Sequence, residues 1–409
     1  MSAARIVVVG GGAAGFFAAI TCAESRPGTE VTVLEKGPQF LSKVRISGGG
    51  RCNLTHALFD VQQLSACYPR GGRELVGPFT RFQPRDTISW FEGKGVKLKA
   101  ESDGRIFPAS DNAQTILDCL LVSARRAGVN LKVDCDVERL TRHMTGGFEV
   151  TLADTRILAC DRLLLATGGC RTAAAGRLAV ALGHTLTPPV PSLFAFHIAT
   201  PWLKELAGVA VAAVAASAPA EGLVEHGALL ITHAGLSGPA ILRLSAWGAR
   251  ALHARNYRFP LRVNWLPHLD QNALGEELSL LRSHHPAQRV VNTPIRPLPA
   301  RLWERLVLAS GVERATRWSA LSVTAQQGLI RQLAQCELPV SGKSLNKDEF
   351  VTCGGVRLQE VNFKTMESRI CPGLYLAGEL LDVDAVTGGF NFQAAWTTGW
   401  LAGRAMAGA

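Results

Sequence analysis

The chain has 409 residues, of which 47% are hydrophobic and 19% are charged, and its formal net charge is +10. This composition excludes disordered and fibrous proteins, and the length predicts two to three domains. Apolar runs such as residues 6–9 and 163–166 are far shorter than the roughly 20 residues of a membrane-spanning helix. The N-terminus lacks the pattern of a signal peptide. We therefore expect a soluble, cytoplasmic protein without a membrane partner.

Ten cysteines are scattered along the chain, and none forms a CxxC pair or a metal-ligand cluster. In a large cytosolic protein the expected state is ten reduced, mostly buried thiols. The sequence therefore predicts no metal site and no disulfide framework.

The first 35 residues predict a β-α-β unit. Residues 5–9 are β-branched and predict a buried strand, the Ala-rich stretch from Ala13 to about Ser25 predicts a helix, and residues 31–34 predict a second strand. The turn between the first strand and the helix reads Gly10-Gly11-Gly12-Ala13-Ala14-Gly15, which satisfies GxGxxG.

Each glycine of this turn has a distinct expected role. Gly10 allows the tight turn, Gly12 lets the backbone approach a pyrophosphate, and Gly15 lets helix and strand pack closely. The helix N-terminus presents free N–H groups and a positive dipole end to phosphates. Glu35 follows the second strand, 20 residues beyond Gly15, where a carboxylate accepts hydrogen bonds from an adenosine ribose. These features predict a dinucleotide site without separating FAD from NAD.

Further elements predict a discontinuous cofactor domain. A helix is expected around residues 113–128, with strands near 131–133, 147–152, 156–159 and 161–166. The character of the chain changes between about Pro188 and Leu345, where prolines are frequent. We expect residues 1–190 and 346–409 to form one domain. Residues 191–345 then form an insertion that is β-rich at about 191–238 and mostly helical at about 239–335.

Three distal motifs favour FAD. Residues 163–169 (LLLATGG) resemble the segment that flavoproteins place beside the FAD adenosine. Residues 374–379 (LYLAGE) resemble the terminal strand whose acid, here Glu379, binds the ribityl chain. Residues 387–391 (TGGFN) open the last predicted helix, whose N–H groups would face the N1/C2 edge of the flavin and stabilise the negative charge of the reduced ring.

Residues 43–55 (KVRISGGGRCNLT) resemble the SGGGRCN signature of the YhiN/BaiN-type FAD-dependent flavoproteins. Other segments that resemble this family are residues 104–108, 232–239, 351–356 and 374–403. The resemblance spans nearly the whole chain, although Phe390 stands where many members have Tyr. It implies an α/β fold with a discontinuous, Rossmann-like, three-layer FAD-binding domain that carries an inserted β-barrel-like subdomain and a helical subdomain. The divergent stretch at 188–220 indicates a side branch of the family.

The predicted cofactor-binding residues come from five parts of the chain. These are the glycine fingerprint with the acid that follows it, the SGGGRCN loop with Lys43 before it, the segment after the strand near residues 131–133, the LLLATGG motif and the C-terminal motifs. They are Gly10, Gly12, Ala13, Ala14, Gly15, Glu35, Lys36, Lys43, Ser47, Gly48, Gly49, Gly50, Arg51, Cys52, Asn53, Val137, Ala166, Thr167, Gly168, Gly169, Gly378, Glu379, Asp382, Gly388, Gly389, Phe390 and Asn391.

Three residues are candidates for catalysis. Arg51 supplies positive charge for a phosphate or a substrate carbonyl, or else belongs to a structural turn that Asn53 anchors. Cys52 is a redox partner or proton donor near the flavin, or else a packed thiol. His233 is a proton donor to a substrate carbanion, or else part of a helix-entry turn before Pro239. The sequence leaves each pair of alternatives open.

The resemblance implies an FAD-dependent oxidoreductase that reduces an activated C=C bond in a small molecule. Only one dinucleotide fingerprint is visible, so NAD(P)H is expected as a transient electron donor rather than as a second bound cofactor. Residues 240–331 contain thirteen Arg, no Lys and five acids. This Arg-rich stretch either keeps the protein soluble or attracts RNA, in which case the alternative is a flavoprotein that reduces uridine to dihydrouridine in ribosomal RNA. A sensing or structural flavoprotein is a third reading, and the oligomeric state is not indicated.

Overall fold

The structure is a computed structural model that describes residues 4–170, 176–344 and 351–408. The chain divides into two compact units, one formed by Met1–Ser192 with Lys347–Ala409 and the other by Leu193–Asn346. We call the first the discontinuous unit and the second the inserted unit. The predicted boundary at residues 345 and 346 lies outside the described residues. Among the described helices, none has the length and apolar character needed to cross a bilayer.

A seven-stranded sheet forms the centre of the discontinuous unit. Its strands in chain order are β1 (Arg5–Val9), β2 (Glu30–Leu34), β6 (Asn130–Lys132), β10 (Arg162–Leu165), β19 (Val361–Asn362), β20 (Glu367–Ser368) and β21 (Leu374–Leu376). The spatial order is β19-β20-β21-β10-β1-β2-β6, and the five strands from β21 to β6 are parallel. Strand β1 lies between β10 and β2, so its apolar side chains are buried on both faces, as its continuous β-branched run predicts.

Smaller sheets and the helices complete this unit. The remaining strands are β3 (Thr55–His56), β4 (Leu98–Ala100), β5 (Arg105–Pro108), β7 (Val137–Arg142), β8 (Phe148–Leu152), β9 (Ile157–Cys160), β11 (Leu186–Ser192) and β18 (Val351–Val356). They pair as β3-β5-β4, β7-β8-β9 and β11-β18. The helices are α1 (Ala13–Ser25), α2 (Ser42–Gly50), α3 (Val61–Ser65), α4 (Gly72–Phe79), α5 (Pro84–Gly93), α6 (Gln114–Arg126), α7 (Arg177–Ala181) and α14 (Phe390–Ala407).

Helices α1 and α14 approach each other through glycines. A Cβ atom at Gly399 would lie 2.5 Å from the carbonyl oxygen of Ala14, and one at Gly403 would lie 2.5 Å from the carbonyl oxygen of Ala18. Backbone therefore contacts backbone along this crossing, which only residues without a side chain permit. The contact joins the first helix of the chain to the last.

The inserted unit is a closed barrel with helices packed on it. Its strands are β12 (Ala195–Ile198), β13 (Ala210–Ala218), β14 (Leu223–Thr232), β15 (Gly235–Ser237), β16 (Phe259–Asn264) and β17 (Cys336–Ser344), and the order around the barrel is β12-β15-β14-β13-β16-β17. Its helices are α8 (Pro201–Lys204), α9 (Pro239–Trp247), α10 (Ala249–Ala254), α11 (Gln271–His284), α12 (Ala300–Ala309) and α13 (Val323–Ala334). Barrel residues such as Phe196 and helical residues such as Trp303 share one hydrophobic core.

One barrel strand lies in a segment for which the sequence predicted mostly helix. Strand β16 lies within the stretch that we expected to be mostly helical, and its side chains alternate, with Phe259, Leu261 and Val263 buried and Pro260 and Arg262 exposed. This period of two is the strand signal, although a six-residue run between predicted helices is easily missed. The strand is required to close the barrel because it pairs with both β13 and β17.

The glycine contact between α1 and α14 generates a stability prediction. Gly399→Ala places a methyl group against a backbone carbonyl, and we expect a loss of about 1–3 kcal/mol in the free energy of unfolding. Gly77→Ala is the matched control, because Gly77 lies in α4 with no atom near its Cβ position, and this change should stabilise the protein by about 0.5–1 kcal/mol. Urea unfolding of both variants measures the difference, and equal midpoints would contradict a close helix crossing.

Candidate functional site

The glycine fingerprint folds as the sequence predicts. Gly10 has φ +112°, and a Cβ atom there would lie 2.2 Å from the carbonyl oxygen of Ala166 at the end of β10. A Cβ atom at Gly15 would lie 2.0 Å from the carbonyl oxygen of Gly10, which accounts for the close packing of α1 on β1. At Gly12 a Cβ atom meets no atom within 4 Å. The first turn of α1, with Ala13 and Ala14, therefore opens onto space that a ligand phosphate can enter.

Glu35 fixes the fingerprint loop through both of its carboxylate oxygens. The backbone N–H of Gly11 donates to Oε2 at 2.8 Å, and that of Gly37 donates to Oε1 at 2.9 Å. A carboxylate offers about four acceptor sites, so two remain for the hydroxyls of a ribose. Lys36 is exposed and pairs with Asp136 at 2.9 Å, which gives it a partner within the protein.

Val137 opens strand β7, and its side chain is buried. Its carbonyl oxygen accepts a hydrogen bond from Nη2 of Arg177 at 2.7 Å. Because the side chain is buried, the predicted contact of Val137 with a cofactor would be made by its backbone atoms.

The SGGGRCN loop breaks α2 and takes positive φ angles. Gly48, Gly49 and Gly50 have φ values of +58°, +68° and +84°, and Cβ positions at Gly49 and Gly50 meet no atom within 4 Å. Ser47 leaves the helical conformation with ψ 147°, and its hydroxyl donates to the carbonyl of Val44 at 2.9 Å. The loop presents bare backbone to open space, which is the property predicted for close approach to a cofactor.

Asn53 joins this loop to the start of the last helix. With its amide oriented to satisfy both neighbours, Asn53 accepts a hydrogen bond from the N–H of Gly389 at 3.0 Å and donates to the carbonyl of Thr55 at 3.2 Å. Gly388 and Gly389 have φ values of +135° and +92°, so this turn requires glycine. The N-terminus of α14 is thereby held against the SGGGRCN loop.

The side chains at the start of α14 hold their own turn. Phe390 is buried, and its carbonyl accepts a hydrogen bond from the hydroxyl of Tyr68 at 2.6 Å. The Asn391 amide accepts from the N–H of Ala385 at 3.0 Å and donates to the carbonyl of Ala385 at 3.1 Å. Because these side chains are engaged within the protein, the predicted contact of this motif with a flavin would be made by the backbone N–H groups of the first turn of α14.

Glu379 lies in a polar cluster built from distant parts of the chain. Its carboxylate pairs with Lys43, and Oε1 accepts a hydrogen bond from the N–H of Thr352 at 2.9 Å. A Cβ atom at Gly169 would lie 2.3 Å from Oγ1 of Thr352 and 2.5 Å from Oε1 of Glu379. In the described part of the chain, the buried hydroxyls of Thr352 and Thr167 have no hydrogen-bond partner. Such orphaned groups are expected beside a polar ligand.

Two predicted residues nearby, Gly378 and Asp382, donate backbone hydrogen bonds within the protein, and a third, Gly168, faces open space. The Gly378 N–H donates to the hydroxyl of Thr398 at 3.0 Å, and the N–H of Asp382 donates to the carbonyl of Val356 at 3.1 Å. Gly168 has φ +79° and an open Cβ position.

An ion pair that the sequence did not predict anchors the loop that leads to α14. Arg70 donates to both carboxylate oxygens of Asp384, whose side chain is fully buried. Burial raises the pKa of Asp384, and the guanidinium of Arg70 opposes that shift. Nothing in the local sequence around Arg70 indicates this partner, which lies more than 300 residues away.

Comparison with known proteins decides the family. Residues 4–405 match the family described as "HI0933-like protein Rossmann domain". The chain belongs to the HI0933-like Rossmann-domain family. The resemblance to YhiN/BaiN-type flavoproteins that the sequence motifs indicated is thereby confirmed.

Relatives of this HI0933-like chain align over nearly their whole length. A "3-dehydro-bile acid delta(4,6)-reductase" of Clostridium scindens is 34% identical, with 98% of this chain and 99% of that protein covered. A "Ribosomal RNA dihydrouridine synthase" of Escherichia coli is 31% identical, with 96% of each covered. The solved 3-ketosteroid-delta4-(5alpha)-dehydrogenase from Rhodococcus jostii RHA1 has the same fold, with a TM-score of 0.53 at 15% identity and with 99% and 97% covered.

These comparisons and the geometry agree on the cofactor. The fold class and the assignment as an FAD-dependent oxidoreductase are confirmed. The residues present fit FAD, because the open space at Gly12 and Gly49 accommodates a ligand backbone and the hydroxyls of Thr167 and Thr352 lack partners. The sequence reasoning missed Thr352, although it noted the segment in which that residue lies.

Two catalytic candidates have contacts that suit their structural alternatives. The Arg51 guanidinium donates to Glu101 at 2.7 Å, lies 3.4 Å from Asp111 and stacks on the Phe107 ring at 4.1 Å. Cys52 is fully buried, and burial raises the pKa of its thiol to about 12. A thiol with this pKa stays protonated at neutral pH, which favours the packing alternative for Cys52.

His233 belongs to the inserted unit and lies in the exposed turn between β14 and β15. The hydroxyl of Thr232 spans this turn, because it accepts a hydrogen bond from the N–H of Gly235 at 3.2 Å. The other predicted site residues all lie in the discontinuous unit. The role of His233 as a proton donor stays a prediction.

A second histidine forms a network that resembles a hydrolytic triad. His184 is buried, its Nδ1 lies 2.9 Å from Oε2 of Glu360, and its Nε2 lies 2.9 Å from Oγ of Ser368. The Ser368 hydroxyl also accepts hydrogen bonds from the N–H groups of Ile370 and Cys371, at 3.1 and 2.8 Å. A buried hydroxyl with its lone pairs occupied is not a nucleophile, so this network is structural.

The open position at Gly12 generates a prediction about cofactor binding. Gly12→Val fits the protein, since φ is −91° and the Cβ position is open, but its side chain fills the space at the N-terminus of α1. We expect FAD affinity to fall by about tenfold to 100-fold or more, because each hydrogen bond to a phosphate contributes roughly 1.5–3 kcal/mol. The unfolding midpoint of the FAD-free protein should not change.

Gly10→Ala provides the contrast, because its Cβ would collide with the Ala166 carbonyl and should lower the stability of the FAD-free protein itself. Fluorescence titration with FAD, combined with thermal unfolding, measures both properties. Full FAD occupancy in Gly12→Val would show that the pyrophosphate lies elsewhere.

Proposed function

We propose that this chain reduces an activated C=C bond in a small molecule with its bound FAD and with NAD(P)H as a transient electron donor. One observation carries the proposal: the hydrogen bond of 3.0 Å between Asn53 and the N–H of Gly389 holds the positive end of α14 at the open SGGGRCN loop. Negative charge builds on the N1/C2 edge of a flavin during reduction, and a helix N-terminus stabilises it. The bile acid reductase among the relatives supports a C=C bond as the acceptor.

Each part of the cofactor has residues suited to hold it. The N-terminus of α1 at Gly12 would hold the pyrophosphate, and Glu35 would accept hydrogen bonds from the adenosine ribose. Glu379, oriented by Lys43 and the Thr352 N–H, would hold the ribityl hydroxyls. When bound, FAD supplies hydride transfer, and the protein positions the substrate and delivers a proton.

Two of the three catalytic candidates are poorly suited to donate a proton to the substrate. Cys52 is a poor donor because its pKa is raised to about 12, and Arg51 is engaged by Glu101. His233 has an exposed side chain, and histidine is the side chain that most often transfers protons in enzymes. We therefore keep His233 as the proposed donor to the substrate.

We also propose a cytoplasmic location. Eight of the ten cysteines are buried. Reduced, mostly buried thiols are the expected state in a large cytosolic protein.

The proposed reaction is tested by anaerobic stopped-flow absorbance. Purified protein should carry FAD, NADH or NADPH should bleach its absorbance near 450 nm, and an enone should restore the absorbance without oxygen. His233→Ala should slow reoxidation by the enone by about 10²-fold or more while reduction stays unchanged, because general acid catalysis contributes roughly 10²–10⁴-fold. Unchanged reoxidation in His233→Ala would remove the proposed role, and reoxidation by no enone would contradict the substrate class.

A second candidate function is reduction of uridine in RNA. Arg289 and Arg317 lie directly opposite each other in an isolated antiparallel bridge of the inserted unit. Like charges at such positions repel each other, and in the described residues neither guanidinium has an ion-pair partner. The surrounding stretch 278–303 contains four Arg and no acid. Two adjacent arginines suit the phosphates of a nucleic acid, and two relatives are named ribosomal RNA dihydrouridine synthases.

Fluorescence anisotropy with a labelled single-stranded RNA tests this second function. We expect affinity to fall steeply with salt, and the double variant Arg289→Gln/Arg317→Gln should reduce the slope of log K against log salt by about 1.4 if two phosphates are contacted. The matched control is Arg255→Gln/Arg262→Gln, which removes the same charge from arginines that already pair with Glu221 and Glu337. Equal slopes in the two double variants would exclude Arg289 and Arg317 as an RNA contact.

A further inference from the structure

His56 lies three residues after the SGGGRCN loop and contacts the first residue of the last helix. It is the second residue of β3, where it pairs with Arg105 of β5. Its imidazole stacks on the ring of Phe390, the first residue of α14, with centroids 4.7 Å apart and planes 18° from parallel. The histidine is thus in direct contact with the residue that follows Gly388 and Gly389.

The imidazole ring of His56 packs against two glycines, Gly104 and Gly388. A Cβ atom at Gly104, which has φ +84°, would lie 2.4 Å from Cε1 of His56. A Cβ atom at Gly388, which has φ +135°, would lie 3.4 Å from Cδ2 of His56 and 2.7 Å from the Phe390 ring. The stack of His56 on Phe390 is possible only while both positions lack side chains.

The polar atoms of the ring favour the uncharged form. Nδ1 is buried and has no hydrogen-bond partner in the described part of the chain, while the backbone of Asp103 is hydrogen-bonded to the ring. Protonation would add a second N–H with no acceptor, and a buried donor without an acceptor is unfavourable, more so when it is charged. Burial lowers the pKa of His56 and the nearby Arg105 lowers it further, whereas the backbone hydrogen bond and the carboxylate of Asp103 oppose both effects.

On the opposite side of the stack, the Phe390 ring contacts a tyrosine rather than a charged residue. Tyr68 packs on the edge of the Phe390 ring, with centroids 6.4 Å apart, and burial raises the pKa of Tyr68 well above its ordinary value. Its hydroxyl therefore stays neutral and is already donated to the Phe390 carbonyl. Asp103 and Arg105 remain the charged groups that face the imidazole.

We propose that His56 is a positioning residue that holds the Gly388–Phe390 turn in its FAD-binding conformation, and that only the neutral imidazole does so. This inference rests on the proposed placement of the flavin at the N-terminus of α14. It adds a control on cofactor binding, because protonation of His56 disrupts its stack on Phe390 and thereby lowers the affinity for FAD.

The sign of the pH effect follows from the direction of the pKa shift. An unperturbed histidine has a pKa near 6.5, and that of His56 in the folded protein is lower. The folded turn therefore prefers the deprotonated ring, and its stability is lost as the pH falls below 6.5. FAD affinity should be constant above about pH 7 and should fall by up to about tenfold per pH unit in the acid range.

The experiment measures the FAD dissociation constant of the full chain between pH 8 and pH 5 by flavin fluorescence. Wild-type protein and the control His143→Gln, which changes an exposed histidine of the same unit, should lose at least tenfold in affinity across this range. His56→Phe keeps an aromatic ring and cannot titrate, so its affinity should change less than twofold. His56→Ala lacks the ring and should bind FAD weakly even at pH 8.

Three outcomes would overturn the proposal. The first is wild-type protein that binds FAD equally well at pH 8 and pH 5, a result that needs no variant to fold. The second is a His56→Phe protein as acid-sensitive as wild type, and the third is His56→Ala with wild-type affinity at pH 8. Protein that binds no FAD at pH 8 contradicts the proposed function instead, so the two failures are distinguishable.

Discussion

The close crossing of α1 and α14 is the constraint on which the discontinuous unit depends. Gly399 and Gly403 bring the backbone of the last helix against the carbonyls of Ala14 and Ala18. Together with the pairing of β21 on β10, this contact fixes the C-terminal segment relative to the fingerprint at Gly10–Gly15. The N-termini of α1 and α14, at Ala13 and Phe390, therefore lie in one unit and are available to one dinucleotide.

Strand pairing in the central sheet explains why an insertion is tolerated in the middle of the cofactor unit. Strand β10 pairs with β1 on one side and with β21 on the other, so the chain segments before and after the insertion are joined in one sheet. The inserted residues 193–346 have their own core, in which barrel and helical side chains pack together. Each unit therefore buries its own apolar surface, so the sequence of the insertion can vary without disturbing the core of the cofactor unit.

Sequence reasoning predicted the parts of this site that depend on local backbone. The roles of Gly10, Gly12 and Gly15 follow from their positions between a strand and a helix, and the structure reproduces the close approaches that they permit. The barrel strand β16 was missed because a short alternating run is ambiguous until its partners are known. The sequence could not predict the ion-pair partners of Arg51, Lys43 and Asp384, because those partners lie 50 to more than 300 residues away along the chain.

Polar groups suited to the cofactor are already held in place by the protein itself. Both oxygens of Glu35 are fixed by backbone N–H groups, Glu379 is fixed by Lys43 and Thr352, and Asn53 is fixed by Gly389. Such preorganisation reduces the ordering that binding would otherwise require, and it leaves spare acceptor sites for the ligand. The described residues of the site retain three buried polar atoms without a partner, which are the hydroxyls of Thr167 and Thr352 and Nδ1 of His56. Of these three groups only the imidazole gains a positive charge by protonation, so it is the position where a single proton acts on the geometry of the turn.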